Sequence, residues 1–242
     1  MINQILVNIQ TLVSEGKKCL VVFDLDSTLF DVSPRIQQIL MDFAADPENQ
    51  KLYPDQVACF DKIKTAHTDW GFANALQRAG LDGHHPQFQE AVSSYWRKHF
   101  FSNDYLKYDT PNEGALEYVH EVMAKGADVA YLTGRDVHRM EPGTTTQLKQ
   151  WNLPLNDRAH LFVKPDKSMD DAEYKTDWFL NPARQNYAKV YFFDNEPVIL
   201  NLMGAKCPHV ESIFFDSTHS GKAEPPADLP RIMNFVLNQR NS

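Results

Sequence analysis

Short apolar runs alternate along most of the chain with segments whose apolar residues recur at helical spacing. The first run, residues 19–26 (CLVVFDLD), is rich in valine and ends in two aspartates, which is typical of a strand buried on both faces of a sheet. Further strands are predicted at 128–135, 160–165, 189–197 and 211–217. Helices are predicted between them at 112–126, 144–152 and 175–187. Strands that alternate with helices favour parallel pairing and right-handed crossovers, so the pattern predicts a doubly wound α/β sheet.

Residues 31–108 have a different pattern. Apolar residues recur there at helical spacing, turns fall between the helical segments, and no strand is predicted. The helical segments are 34–46, 57–67, 70–80 and 86–101. We therefore predict two units, a Rossmann-like core made of residues 1–30 and 109–242, and an inserted α-helical unit made of residues 31–108, called the insert below.

The N-terminal segment and the overall charge restrict the classes of function. Residues 1–18 place apolar side chains at helical spacing, so we predict a packing helix rather than a secretory signal, with a homodimer interface as the alternative use of its apolar face. No run approaches the roughly 18 apolar residues that a membrane span requires. A net charge of -8 without clustered Lys or Arg argues against general nucleic-acid binding. The three cysteines are widely spaced, which indicates neither a disulfide framework nor a zinc site and favours a cytoplasmic location.

Polar residues follow three of the predicted strands where each strand ends. They are Asp24 and Asp26, then Thr133, Gly134 and Arg135, then Asp194, Asn195 and Glu196. In an open α/β sheet, ligands bind beyond the carboxyl ends of the strands, so these residues are expected to share a site. Carboxylates favour Mg²⁺, which keeps coordination positions for water and phosphate. Thr133, Arg135 and Lys175 can supply donors and positive charge for phosphate oxygens.

In chain order, the segments FDLDSTL, YLTGR, Lys175 and FFDNEP resemble the four motifs of the haloacid dehalogenase superfamily. The resemblance covers the strand ends of most of the chain outside the insert, and the insert resembles the cap that many members carry between the first and second motifs. The resemblance implies a phosphatase that hydrolyses a small phosphorylated metabolite through an aspartyl-phosphate intermediate. Caps of this kind close over the site and select the leaving group.

The resemblance also implies a role for each motif residue. Asp24 would be the nucleophile, and Asp26 would be the general acid toward the leaving alcohol and then the base toward water. Thr133 would hold the phosphoryl oxygens, and Lys175 would neutralise charge between nucleophile and phosphate. Lys164 is the alternative candidate for this role. We prefer Lys175, because Lys175 opens the helix before the last motif strand. The implied phosphate-binding set is Thr133, Gly134, Arg135 and Lys175.

The same resemblance implies a magnesium cofactor. The Mg²⁺ ligands would be Asp24, the backbone carbonyl of Asp26, and Asp194. The fourth motif departs from the usual pair of acids, because Asp194 is followed by Asn195 and then Glu196. Either Asn195, through water, or Glu196 could be the second member of that motif.

The presence of Asp26 distinguishes between branches of the superfamily. Dehalogenating members lack this acid because a halide leaving group needs no proton, so a phosphatase or a phosphomutase is favoured. Two alternatives stay open: a phosphomutase or other phosphotransferase, and a catalytically idle protein that binds a phosphorylated ligand. Within the insert, the residues considered for substrate specificity are Arg35, Trp70, Tyr95, Arg97 and His99.

Overall fold

The computed structural model of the chain describes residues 1–83, 85–184 and 186–237, so residues 84, 185 and 238–242 of the predicted units lie outside the described residues. The strands are β1 (Cys19–Phe23), β2 (Phe30–Asp31), β3 (Thr110–Pro111), β4 (Asp128–Asp136), β5 (Ala159–Lys164), β6 (Lys189–Asp194), β7 (Val210–Phe215) and β8 (Arg231–Ile232). The α-helices are α1 (Ile2–Ser14), α2 (Ser33–Ala45), α3 (Pro47–Leu52), α4 (Pro54–Val57), α5 (Ala73–Arg78), α6 (Pro86–Phe100), α7 (Ala115–Ala124), α8 (Val137–Gln150), α9 (Asp171–Leu180) and α10 (Pro197–Lys206).

Six strands form one parallel sheet in the order β5-β4-β1-β6-β7-β8. β1 lies between β4 and β6, and its last residue, Phe23, is in register with Tyr131 and Phe193. The predicted fold class, a doubly wound Rossmann-like parallel sheet with helices on its faces, is confirmed. Because β4, β1 and β6 are neighbours, the polar residues that follow them meet at one edge of the sheet.

Apolar side chains from alternate positions of β1 cover the two faces of the sheet. Val21 and Phe23 pack into a cluster that includes residues of α1 and α7, whereas Leu20 and Val22 pack into a cluster with residues of α9 and α10. Period-two alternation in a strand with both faces buried produces this arrangement. The central strand is therefore held rigidly from both sides, and so is the sheet edge that follows it.

The insert has an apolar cluster of its own. Residues from α2, α5 and α6 pack there around Phe43, Phe60 and Phe88. At its base β2 pairs with β3 in antiparallel register, Phe30 with Pro111 and Asp31 with Thr110. The expectation of an insert without strand is thus wrong at Asp31. Two residues suffice there to pair the chain that enters the insert with the chain that leaves it. The division into a core and a cap remains a proposal.

Two further features complete the fold. The helix predicted over 57–67 is mostly absent: α4 ends at Val57 and only a short 3-10 helix, Phe60–Lys62, follows. Within the described part of the chain, no helix has both the length and the apolarity needed to cross a membrane.

Candidate active site

Asp24 lies directly beyond β1, where its backbone N–H donates to the carbonyl of Phe193 at 2.9 Å. Asp194 is the last residue of β6, and Thr133 lies near the end of β4. All three side chains are buried or nearly so. The strand ends therefore bring together Asp24, Thr133 and Asp194, as predicted from the order of the motifs.

Lys175 joins this edge from helix α9. Its Nζ donates to Asp24 Oδ1 and to Asp194 Oδ2, each at 2.6 Å, and its side chain is 3% exposed. α9 begins at Asp171, so Lys175 lies in the second turn of the helix and does not open it, which corrects the expectation from the sequence. The rival Lys164 instead donates to the carbonyl of Met169 at 2.9 Å and to Asp171 Oδ1 at 2.5 Å. The geometry thus places Lys175, and not Lys164, against Asp24.

Burial and charge shift the pKa values of this group. Burial raises the pKa of Asp24, Lys175 lowers it and Asp194 raises it again, which leaves the pKa at about 7. Burial also raises the pKa of Asp194, against the pull of Lys175. For Lys175 burial lowers the pKa, but Asp194 and Asp24 outweigh it and hold the pKa above its usual value. Two buried carboxylates therefore share one ammonium group.

Asp26 belongs to a second buried ion network beside the first. Its Oδ1 accepts from Arg35 Nη2 at 2.6 Å and from Arg135 Nη2 at 2.6 Å. Both arginines also contact Asp109, through Arg35 Nε at 2.7 Å and Arg135 Nη2 at 3.1 Å. Arg35, Arg135 and Asp109 are buried, whereas the side chain of Asp26 is 30% exposed. The network thus joins the first motif loop, the insert and β4.

This network determines the charge state of Asp26. Burial raises the pKa of Asp26, but Arg135 and Arg35 outweigh it and hold the pKa well below its usual range. Arg135 donates its remaining N–H groups to Thr144 Oγ1 at 3.2 Å and to Gln147 Oε1 at 2.7 Å. With its five donors engaged in this way, the predicted phosphate contact of Arg135 would require one of these bonds to open.

Sequence reasoning missed Asp109 and Gln147. Gln147 donates to Asp109 Oδ2 at 2.9 Å and to the carbonyl of Leu106 at 2.6 Å. Asp109 directly precedes β3, where the chain returns from the insert, and no motif marks it. Its partner Arg35 was considered only for substrate specificity. The available signal was the position of an aspartate at the boundary of the insert.

The remaining motif residues have structural partners. A Cβ at Gly134 would lie 2.8 Å from the carboxylate of Asp171, so that side chain would have to move to admit one. Asn195 accepts from Thr28 Oγ1 at 3.2 Å and donates to the carbonyl of Thr218 at 2.5 Å. Glu196 accepts from the N–H of Ser220 at 2.9 Å and from its hydroxyl at 2.8 Å. Asn195 and Glu196 therefore both hold the segment that follows β7.

The donor set can be tested against a magnesium ion. Among the described residues, no three Asp, Glu, His or Cys side chains form a group that could hold a metal. The implied set needs only two carboxylates, Asp24 and Asp194, because its third ligand is the backbone carbonyl of Asp26. These two carboxylates face a single ammonium, so one negative charge is left to offset, and Mg²⁺ commonly binds to one or two carboxylates and water. The residues fit this ion.

A cavity of about 330 Å³ opens at these residues. Asp24, Thr133 and Lys175 lie on its core side, and the insert contributes apolar and aromatic side chains. Of the insert residues considered for specificity, Trp70 lines the cavity and Arg35 contacts Asp26. The other three lie outside the lining: Tyr95 packs on Phe43, Arg97 pairs with Glu90, and His99 packs against Tyr105.

Comparison with known proteins places the chain in a family. A sequence model described as haloacid dehalogenase-like hydrolase matches residues 20–162. No curated protein matches the chain. A candidate phosphatase from Clostridium difficile has a similar fold, with a TM-score of 0.53 and 12% identity over 82% of this chain and 85% of that one. A haloacid dehalogenase superfamily hydrolase from Ehrlichia chaffeensis aligns with a TM-score of 0.50 and 13% identity over 90% of this chain and 93% of that one. The chain belongs to the haloacid dehalogenase-like hydrolase family.

Proposed function

We propose that this hydrolase is a magnesium-dependent phosphatase that acts on a small phosphorylated metabolite through an aspartyl phosphate on Asp24. The observation that carries the proposal is the contact of Lys175 with both Asp24 and Asp194, at 2.6 Å each, at the base of the cavity. This arrangement puts a carboxylate nucleophile beside fixed positive charge where a phosphoryl group would enter.

The proposed reaction has two steps. A carboxylate oxygen of Asp24 attacks phosphorus, and the bond from phosphorus to the ester oxygen breaks, so the electron pair leaves with the alcohol oxygen, which takes up a proton. Water then attacks the phosphorus of the aspartyl phosphate and releases inorganic phosphate, restoring the Asp24 carboxylate. Thr133, which lines the cavity beside Asp24, is the proposed donor to the phosphoryl oxygens.

Asp26 is the proposed proton donor and acceptor. Its two arginine partners keep the carboxylate ionised in the described arrangement, which suits acceptance of a proton from the attacking water. Donation to the leaving alcohol would require the contact with Arg35 or Arg135 to open first. Because Arg35 belongs to the insert, a displacement of the insert is one way to open it.

The proposed ion would be held by Asp24, Asp194 and the backbone carbonyl of Asp26. When bound, Mg²⁺ offsets the repulsion between an anionic nucleophile and an anionic phosphate ester. Lys175 already offsets part of that repulsion, because its pKa is held above the usual value and it stays protonated.

Hydrolysis of a generic aryl phosphate tests the proposal. Wild type, Asp24→Asn and Asp128→Asn are each assayed with Mg²⁺ and with excess chelator. Asp128 is a matched control, because it lies at the opposite end of β4 and pairs with Arg158 at 3.2 Å. We expect turnover by wild type and Asp128→Asn only with the metal, and none by Asp24→Asn.

Two results would count against the proposal. Full activity of Asp24→Asn would show that Asp24 is not the nucleophile. If the phosphate is found on a second hydroxyl group instead of in solution, the enzyme transfers phosphate to an alcohol rather than to water.

A further inference from the structure

The cavity has two chemically different ends. The core side carries the charged residues Asp24 and Lys175. Much of the remaining lining is apolar, and it includes Val32, Ile36, Trp96, Phe100 and Phe101 of the insert and Met140 of α8. A ligand with a phosphate at one end would therefore place the rest of its structure against apolar surface.

Three aromatic rings contribute to this surface, and we call Trp96, Phe100 and Phe101 the aromatic panel. Trp96 and Phe100 are four residues apart on α6, so they lie on the same face of the helix, with ring centroids 4.8 Å apart and planes at 29°. The Phe101 ring lies 5.9 Å from Trp96 at 74°. All three side chains are partly exposed.

The indole of Trp96 is not anchored by its N–H group. Its Nε1 is buried and has no hydrogen-bond partner among the described residues. A buried indole N–H usually has an acceptor. Because this one has none in the described part of the chain, only packing of the ring fixes the side chain. The panel lines the cavity with rings, and the guanidinium groups of Arg35 and Arg139 also pack on Phe100 and Phe101, at 4.4 and 5.0 Å from the ring centroids.

The charges on the insert side are already paired. Asp69 lines the cavity from the insert, and it accepts from Arg78 Nη1 at 2.8 Å and from the N–H of Ala66 at 2.8 Å. On the core side, Arg135 and Lys175 are engaged with carboxylates, whereas Lys222, which also lines the cavity, makes no ion pair among the described residues. Among the described lining residues of the insert, no side chain is therefore free to neutralise a charged leaving group.

We infer that the substrate is a phosphate monoester whose leaving group is apolar where it meets the insert and carries an aromatic ring that packs on the aromatic panel. This inference rests on the proposed phosphatase function. The cavity of about 330 Å³ lies within the usual size range of small-molecule sites, which agrees with an occupant of this size. The rings bury apolar surface of the leaving group, and an apolar group loses little hydration when it enters.

Phosphate esters of three primary alcohols test the inference, because their leaving groups differ little in chemical reactivity. We compare 2-phenylethyl, ethyl and 2-aminoethyl phosphate with the wild-type enzyme and Mg²⁺. We expect kcat/KM for 2-phenylethyl phosphate to exceed that for each of the others by at least about tenfold, since even one methylene in an apolar pocket can contribute that much. Equal values, or a preference for 2-aminoethyl phosphate, would overturn the inference.

Variants assign the preference to the panel. Trp96→Leu and Phe101→Leu are each expected to reduce the ratio of the 2-phenylethyl to the ethyl value several-fold, and two variants guard against misfolding of one. Trp151→Leu is the control, because Trp151 packs against the cluster around β1 and does not line the cavity. A ratio that stays at the wild-type value in both panel variants would contradict the role of the panel.

Binding of phosphonates separates this inference from the proposed function. Calorimetry with 2-phenylethylphosphonate and ethylphosphonate, whose C–P bonds are not hydrolysed, reports affinity without turnover. Tighter binding of the phenylethyl compound without hydrolysis of any ester would support the inference and reject the phosphatase function. Hydrolysis of all three esters without a difference in phosphonate affinity would support the function and overturn the inference, and absence of any binding would overturn it as well.

Discussion

Lys175 donates to two buried carboxylates at once, and its charge opposes the effect of burial on their pKa values. Asp24 is pulled toward ionisation by Lys175 and away from it by burial and by Asp194. Removal of the ammonium group would leave two acids facing each other away from water. Loss of one partner from a buried ion pair is costly, because the charge that remains is neither solvated nor paired.

The Lys175→Met variant tests this description. We expect the free energy of unfolding at neutral pH to fall by about 3–5 kcal/mol, the usual result of breaking a buried pair, and turnover to be lost. The matched control is Lys164→Met, whose partner Asp171 has a side chain that is 53% exposed, so its pair is screened and a smaller loss is expected. Urea denaturation and the aryl phosphate assay measure both quantities. Equal effects of the two variants on turnover would reopen the choice between the two lysines.

At the scale of elements, the network around Asp109 ties four segments together. Arg35 comes from α2, Asp109 from the chain entering β3, Arg135 from β4, and Gln147 from α8. Arg35 also donates to the carbonyl of Phe100 at the end of α6, at 3.2 Å. The insert is thus joined to the core by charged groups at the point where the chain leaves and returns.

A double-mutant cycle measures how strongly these elements are coupled. Arg35→Met is expected to lower the free energy of unfolding by about 3–5 kcal/mol, since it leaves Asp109 buried with fewer partners. Adding Asp109→Leu should recover part of that loss, because apolar groups then replace both charges. Arg97→Met serves as the control and is expected to change stability by less than about 0.5 kcal/mol, because its pair with Glu90 is exposed. Additive losses in the double variant would show that the two residues are not coupled.

The elements also show what the sequence could and could not predict. The run at 128–135 matches β4 closely, because an apolar run ending in a turn signal is a local feature. α8 begins at Val137, earlier than the predicted 144, because Asp136 caps the helix by accepting from Arg139 N at 3.1 Å. α8 also contains Pro142, a residue that ordinarily interrupts a helix. β8 was missed because two residues carry no periodicity.

The site, like the fold, could be predicted from the sequence only in part. Motif order and strand ends predicted the neighbours Asp24, Thr133 and Asp194, since parallel neighbouring strands end at one edge. The network around Asp26 could not be predicted, because Arg135 is 109 residues from Asp26, and Arg35 is 74 residues from Asp109, which it meets only through packing of the insert on the core. Long-range pairing of this kind leaves no local pattern in the sequence.

For the whole molecule, the raised pKa values make stability depend on pH. Asp24 has an ordinary pKa of 3.8 and a folded value of about 7, so between these values the folded chain binds more protons than the unfolded chain. The free energy of unfolding therefore falls as pH rises through this range. The raised pKa values of Asp194 and Asp109 act in the same direction. His99 acts in the opposite direction, because burial lowers its pKa.

Comparison with Asp24→Asn isolates this effect and links it to the proposed metal. Without divalent ions, the stability of wild type relative to Asp24→Asn should fall from about pH 5 to about pH 8 by up to a few kcal/mol, since each unit of pKa shift corresponds to about 1.4 kcal/mol. The contribution of His99 cancels in this difference. Mg²⁺ binds the ionised carboxylate, so it should stabilise wild type more at the higher pH and should stabilise Asp24→Asn less than wild type. Urea midpoints at matched ionic strength, with Mg²⁺ and with chelator, provide the measurement. A relative stability that rises with pH in the absence of the ion would show that Asp24 is ionised more easily in the folded chain than in the unfolded one. The negative charge at this edge of the sheet would then be offset more fully than two carboxylates and one ammonium group indicate.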